Sequence, residues 1–298
     1  MKKLKQAFSI AGYNFRLWRG NPRILITFAL SFILCFLLTD KAVTFAVDHN
    51  TSMQMVEAFI WSFGDSNSIL LSSVLLVLLF ADMPFLSSGT PLYLVRTDRK
   101  TWITGQVIYT ISATAIYLLF VLASTMVLSM KQSFAANMWS PTAAILGYTN
   151  AGERVAIPAL VKTLEMSWPV ESMVSIFGLM LGYAGTMMMI MLVCNLRFGQ
   201  AAGAVGVLAF SVYGILMKPD TIQLILRLPD EAYYIANVLI GWLSPLNQAT
   251  YHMHNFGYDK LPRLWQSYLI FFTLIVLGYF AAVHAAKRYN FSFTGTEG

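Results

Sequence analysis

One short stretch gathers the side chains best suited to recognition, Leu92-Tyr93-Leu94-Val95-Arg96-Thr97-Asp98-Arg99-Lys100-Thr101-Trp102. Leu92, Tyr93 and Val95 supply apolar and aromatic surface, and Arg96 and Arg99 rim it with charge. The chemistry of such a set is recognition, because an aromatic centre edged by arginines is the composition of a protein-binding hot spot. Thr90 can cap a short helix whose first residue is Pro91, and Thr97 or Asp98 can cap the next helix. The chain then turns twice within about ten residues and presents Leu92, Tyr93, Val95, Arg96 and Arg99 as a knob. A basic hairpin with Trp102 as an interfacial anchor is the simpler alternative. Leu92 and Tyr93, apolar where solvent is expected, favour docking.

Asp82 is the one carboxylate inside an apolar run. A charge at mid-bilayer costs at least ~2.5–3.5 kcal/mol on insertion scales. It lies about one turn from the end of its run, so an ion pair with Arg96 or Arg99 near a gate is expected rather than a proton relay. Pro84 can bend the chain beside it. Met187 and Met188, with Met180, Met189 and Met191, could line a pliable path for a greasy substrate or fill the core. Tyr109, Tyr117, Ser211 and Tyr213 could add polar groups to such a path, or hydrogen-bond neighbouring helices. His252 and His254 could share a metal only with further ligands. Cys35 and Cys194 read as buried small hydrophobes. No H-E-x-x-H motif, paired carboxylates or nucleophile with a nearby base occurs, and no Gly-rich phosphate loop of the G-x-x-x-x-G-K-[ST] kind. The chain is therefore not expected to be an enzyme, and no catalytic, metal or cofactor residue is assigned to it.

The elements that must position these residues follow from composition. The 298 residues are 57% hydrophobic and 11% charged, with a mean hydropathy of +0.62, against roughly 25% charge in a soluble domain. An all-α polytopic membrane protein is expected. A bilayer core of about 30 Å needs ~20 apolar residues in a helix, and six runs meet or approach this: 24–38 continuing into 41–47, 69–86, 102–130, 174–196, 201–217 and 268–286. Asn21 and Pro22 are suited to cap and start the first. Outer loops cover 131–172 and 218–266. The second contains a short helix ending near Pro229, and an apolar run at 235–246, broken by Pro245, that is too short to cross. Gly178 with Gly182, and Gly199 with Gly203, are small residues four apart that permit close helix approach.

Residues 1–20 form a separate amphipathic unit ahead of a single permease domain at 21–298. Leu4, Phe8, Ala11, Phe15 and Trp18 make one helical stripe with Lys2, Lys5, Arg16 and Arg19 beside it, unlike a cleavable signal. Such a helix floats at the inner leaflet, and packing on the span machinery is expected too. With both termini inside, twelve of the twenty lysines and arginines fall on the inner side, which satisfies the positive-inside rule.

The layout resembles the membrane subunit of an ABC-2-type transporter. It shares a basic amphipathic helix, six spans, a compact segment between the second and third, a tight hairpin between the fourth and fifth, and a broken apolar segment before the sixth. The pattern is carried by Asp82-Met83-Pro84-Phe85-Leu86 and by Tyr93 through Trp102. It is similar in particular to the small bacterial permeases encoded apart from their ATPase. The resemblance implies a bacterial cytoplasmic membrane, cytoplasmic termini, and a homodimer or a pair with a second permease. It also implies an ATP-binding cassette subunit that binds ATP and Mg and grips a coupling segment at 90–101. Export of a hydrophobic or amphipathic substrate is the implied activity, with membrane lipid as surroundings and no nucleic acid as partner. A secondary transporter, sensor or assembly factor remains as the alternative; a secondary transporter more typically shows inverted repeats and charged mid-span residues.

Overall fold

The computed structural model describes residues 2–85, 97–149, 151–157 and 159–289. The architecture is that of an all-α membrane protein; among the described residues the strands are a two-residue parallel pair, β1 Met53–Gln54 and β2 Ser133–Phe134. Among the described residues, four helices are each long and apolar enough to cross a membrane: α2 Pro22–Asp48, α5 Arg99–Ser129, α9 Pro169–Phe198 and α14 Leu264–Arg288. Two further spans arise only if bent pairs are counted. These are α3 Glu57–Phe63 with α4 Ser66–Leu79, bent by 88°, and α10 Gln200–Leu216 with α11 Pro219–Leu226, bent by 80°.

Caps explain the boundaries. Asn21 accepts from the Arg23 N–H at 3.1 Å ahead of α2, and Pro22 occupies its first position. Asp65 accepts from the Asn67 and Ser68 N–H groups and turns the chain from α3 into α4. α4 differs from the expected 69–86 run: it begins earlier and ends at Leu79. Pro84 has no N–H and biases Met83 away from helical geometry, so the apolar run outlasts the helix. Asp82 consequently sits beyond the helix rather than within it. The other long helices begin ahead of their apolar runs: α2 at Pro22 after Asn21, α5 at Arg99 after Asp98, α9 at Pro169 and α14 at Leu264 after Arg263.

α9 is the central post and packs against α3, α4, α5, α10, α14 and α13 Pro245–Ala249. Met180, Met187, Met188, Met189 and Met191 are all buried along it. Gly178 and Gly182 face α14, where a Cβ on Gly182 would come within 2.8 Å of the Phe271 ring and one on Gly178 within 3.1 Å of Tyr268. The first glycine pair thus sets the α9–α14 approach, as small residues do between membrane helices. In the second pair, Gly199 has φ +94° and makes the turn between α9 and α10.

α1 Lys2–Arg16 lies along α5. Its buried face is Ala7, Ile10, Ala11 and Asn14, not the whole expected stripe; Leu4 and Phe8 are 55% and 57% exposed. The reason is close approach: a Cβ on Gly105 of α5 would lie 2.8 Å from Ile10 and 2.9 Å from the Ala7 carbonyl. The seam is filled by Ala7, Ile10, Ala11 and Asn14 against Gly105 and Gln106, and Leu4 and Phe8 lie off it.

The remaining connections carry short helices: α6 Pro141–Tyr148, α7 Ala151–Arg154, α8 Val161–Met166 and α12 Tyr233–Leu243. α12 is the expected broken apolar segment, ending before Pro245, and α11 is the expected short helix ahead of Pro229.

Candidate functional site

Residues 86–96 hold most of the expected knob, and Leu92, Tyr93, Val95 and Arg96 lie outside the described residues. The chain on either side of them is described, and both roots are anchored. On the near side, Asn195 of α9 donates from Nδ2 to the Met83 carbonyl at 2.6 Å. The same amide accepts from the Gly203 N–H of α10 through Oδ1 at 2.7 Å. One buried side chain therefore ties the end of α4 to the tight α9–α10 hairpin.

On the far side, Asp98 caps α5, accepting from the Thr101 N–H at 3.1 Å, and pairs with Lys3 of α1 at 2.9 Å. The Thr101 bond, then Lys3, holds its carboxyl down at about 2. Arg99 donates from Nη1 to the carbonyls of Ala286 at 2.8 Å and Lys287 at 2.6 Å, and to that of Tyr289 at 3.3 Å. These are carbonyls at the C-terminal end of α14, which lack intrahelical partners and attract a cation.

Asp82 forms an ion pair with Arg23 of α2; of the two partners expected for it, Arg96 lies outside the described residues and Arg99 bonds the end of α14. Arg23 was read from the sequence only as part of the basic count; the turn that takes Asp82 off the helix brings it to the start of α2. Beside it is a cavity of about 300 Å³ bordered by Asn14, Trp18, Asn21, Leu79 and Tyr109. Trp18 Nε1 donates to the Tyr109 hydroxyl at 2.7 Å, and Phe15 and Phe85 stand edge-on to the Tyr109 ring. Asn14 donates to Gln106 Oε1 at 3.2 Å, completing the α1–α5 seam.

Of the six expected pathway residues, Tyr109 borders this cavity and the others are distributed through the bundle. Tyr117 accepts from Ser31 Oγ at 2.8 Å and donates to the Ser72 carbonyl at 2.9 Å, joining α2, α4 and α5. Met187 and Met188 are enclosed in the core. Ser211 is buried, and its hydroxyl has no partner among the described residues. Tyr213 donates to the Leu243 carbonyl at 3.0 Å and holds the end of α12. Tyr117 and Tyr213 thus join helices through hydrogen bonds, and Met187 and Met188 pack in the core.

At the opposite end, where the chain links α2 to α3 and α5 to α6, Glu57 is fully buried and accepts from the Ser140 N–H and Oγ at 2.8 and 2.6 Å. His254 places Nδ1 on the Thr250 and Tyr251 carbonyls and Nε2 on Ser267 Oγ at 2.9 Å. Among the described residues no group of three or more His, Cys, Asp or Glu side chains is placed to hold a metal. Asn195 and Glu57 escaped the sequence reading; an asparagine inside an apolar span is the signal that could have marked the first.

No protein-family model, curated protein or solved structure matches this chain.

Proposed function

We propose that this chain is the membrane-spanning permease subunit of an ABC transporter of the ABC-2 type, exporting a hydrophobic or amphipathic substrate with ATP hydrolysed by a partner subunit. The observation that carries this reading is the anchoring of both roots of 86–96: Met83 to Asn195, and Asp98 and Arg99 to Lys3 and the end of α14. A lever needs rigid attachment to the parts it moves. A push on 90–101 would pass through Asn195 into the α9–α10 hairpin, through Arg99 into α14 and through Lys3 into α1.

In this reading Leu92, Tyr93, Val95, Arg96 and Arg99 form the seat of the ATP-binding cassette subunit, which carries ATP and Mg. Two permeases, identical or similar, face each other in a bacterial cytoplasmic membrane with both termini inside. Leu4 and Phe8, exposed on α1 beside Lys2 and Lys5, support placing that helix in the inner headgroup layer. A bundle interior this apolar suits a greasy substrate.

The test is affinity purification of the full chain from its native membrane. Wild type is expected to bring down an ATP-hydrolysing subunit, and the double substitution Leu92→Asp, Tyr93→Asp to lose it while still inserting. Association unchanged by the two aspartates would remove the coupling role.

A further inference from the structure

At the end of the bundle opposite Arg99, a cavity of about 550 Å³ lies between α2 and the elbow joining α3 to α4. A second of about 540 Å³ flanks the same stretch of α2, and Lys41 is in the wall of both. Each has the size of a small-molecule site. The walls are graded. Lys41, Asp65, Asn67 and Ser68 form the polar side of the first cavity; Leu37, Leu38 and Leu71 form the apolar side.

The gradient has the same direction on both helices. Leu37 precedes Lys41 by one turn, about 6 Å along α2 toward the bundle centre. α4 runs the opposite way, and Leu71 lies about 9 Å deeper than Asp65. Leu37 and Leu71 are 61% and 53% exposed, so the apolar side opens sideways to acyl chains while the polar side sits at headgroup level. Trp61 forms the inner wall; it is 3% exposed, and its indole Nε1–H has no partner among the described residues.

Charge selects the headgroup. The described ionisable side chains of the first cavity are Lys41 and Asp65, one of each sign, and the second cavity beside it adds Asp40, Asp48, His49 and Arg154. A purely anionic headgroup meets more repulsion than attraction there. An amine-bearing zwitterion satisfies both signs, with its phosphate on Lys41 and its ammonium on the carboxylates.

We propose that this cleft holds one phospholipid with a zwitterionic, amine-bearing headgroup, its phosphate at Lys41, its amine at Asp65 and one acyl chain along Leu37, Leu38 and Leu71. The site stands apart from the transport reading and requires only that the chain be embedded in a bilayer.

The experiment is native mass spectrometry of the detergent-purified full chain, titrated with phosphatidylethanolamine or with phosphatidylglycerol of the same acyl composition. Phosphatidylethanolamine is expected to bind about tenfold more tightly, the scale of one charge-assisted hydrogen bond. Asp65→Asn should erase that preference, and Lys41→Gln, which removes the cation under the phosphate that both lipids carry, should weaken the binding of both by about tenfold. Lys41→Gln changes an exposed side chain, and asparagine preserves the cap that Asp65 gives α4, so both variants should keep wild-type helicity by circular dichroism. Lys131→Gln, outside both walls, should retain the preference. Equal binding of the two lipids by wild type, an undiminished preference in folded Asp65→Asn, or unweakened binding of both lipids by folded Lys41→Gln would overturn the site and leave ordinary annular lipid.

Discussion

His254 is enclosed by the 250–254 turn and the start of α14, and burial pushes its pKa down from 6.5 to about 4. The Tyr251 and Thr250 carbonyls pull the other way, while His252 and Lys162 add repulsion against a proton. The unfolded chain takes up this proton near pH 6.5 and the folded chain only near pH 4. Between those values the unfolded state binds more protons, so stability is full above about pH 6.5 and falls as the pH drops toward 4, by up to about 3 kcal/mol. Thermal unfolding in detergent should show this loss in wild type, and His254→Gln should flatten it; equal slopes would contradict the assignment. Asp98 has two separable roles. Asp98→Ala removes the cap of α5 and should cost about 1 kcal/mol, whereas Asp98→Asn keeps a capping oxygen and loses only an exposed pair with Lys3, a matter of tenths. Melting temperatures ranked otherwise would mean that the ion pair, not the cap, fixes the root of α5.

At the scale of elements, the seam between α1 and α5 depends on the missing side chain of Gly105. Gly105→Ala places a methyl within 3 Å of Ile10 and the Ala7 carbonyl and should cost about 1–3 kcal/mol by overpacking. Gly12→Ala, with nothing within 4 Å of its new methyl, should be neutral or stabilise α1 by up to about 1 kcal/mol. Comparable melting temperatures for the two variants would mean that α1 is not docked through this face. The same seam shows how much of the fold was legible in the sequence. Apolar run length found the four long helices of the described residues, and Asn21 with Pro22, and Asp98, marked the starts of α2 and α5, because those signals are local. The orientation of α1 was not legible from its own periodicity, since the deciding residue, Gly105, is some ninety positions away in sequence. The end of α4 at Leu79 was hidden because hydropathy continues through Phe80 and Phe85 after the helix has stopped. At the candidate site, the residue types on 90–101 were visible, but the anchors Asn195 and Arg23 were not, because each acquires its role only through a partner distant in the chain.

For the whole molecule, the two ends of the bundle differ in kind. One end gathers Lys3, Arg23, Asp82, Asp98, Arg99 and the tail of α14 around the roots of 86–96. The other carries the short helices, the Glu57–Ser140 clamp and the graded cleft along α2. The account requires the first end to face the cytoplasm, where a motor subunit can reach it. Orientation can be read from single cysteines in a chain carrying Cys35→Ala and Cys194→Ala. Lys100→Cys and Lys131→Cys place exposed thiols at opposite ends of α5 and its following turn. Treated with a membrane-impermeant maleimide, intact cells should label Lys131→Cys and spare Lys100→Cys, and inside-out vesicles should reverse the pattern. Labelling of Lys100→Cys from outside intact cells would put the anchored end on the wrong side of the membrane and contradict the coupling role assigned to it.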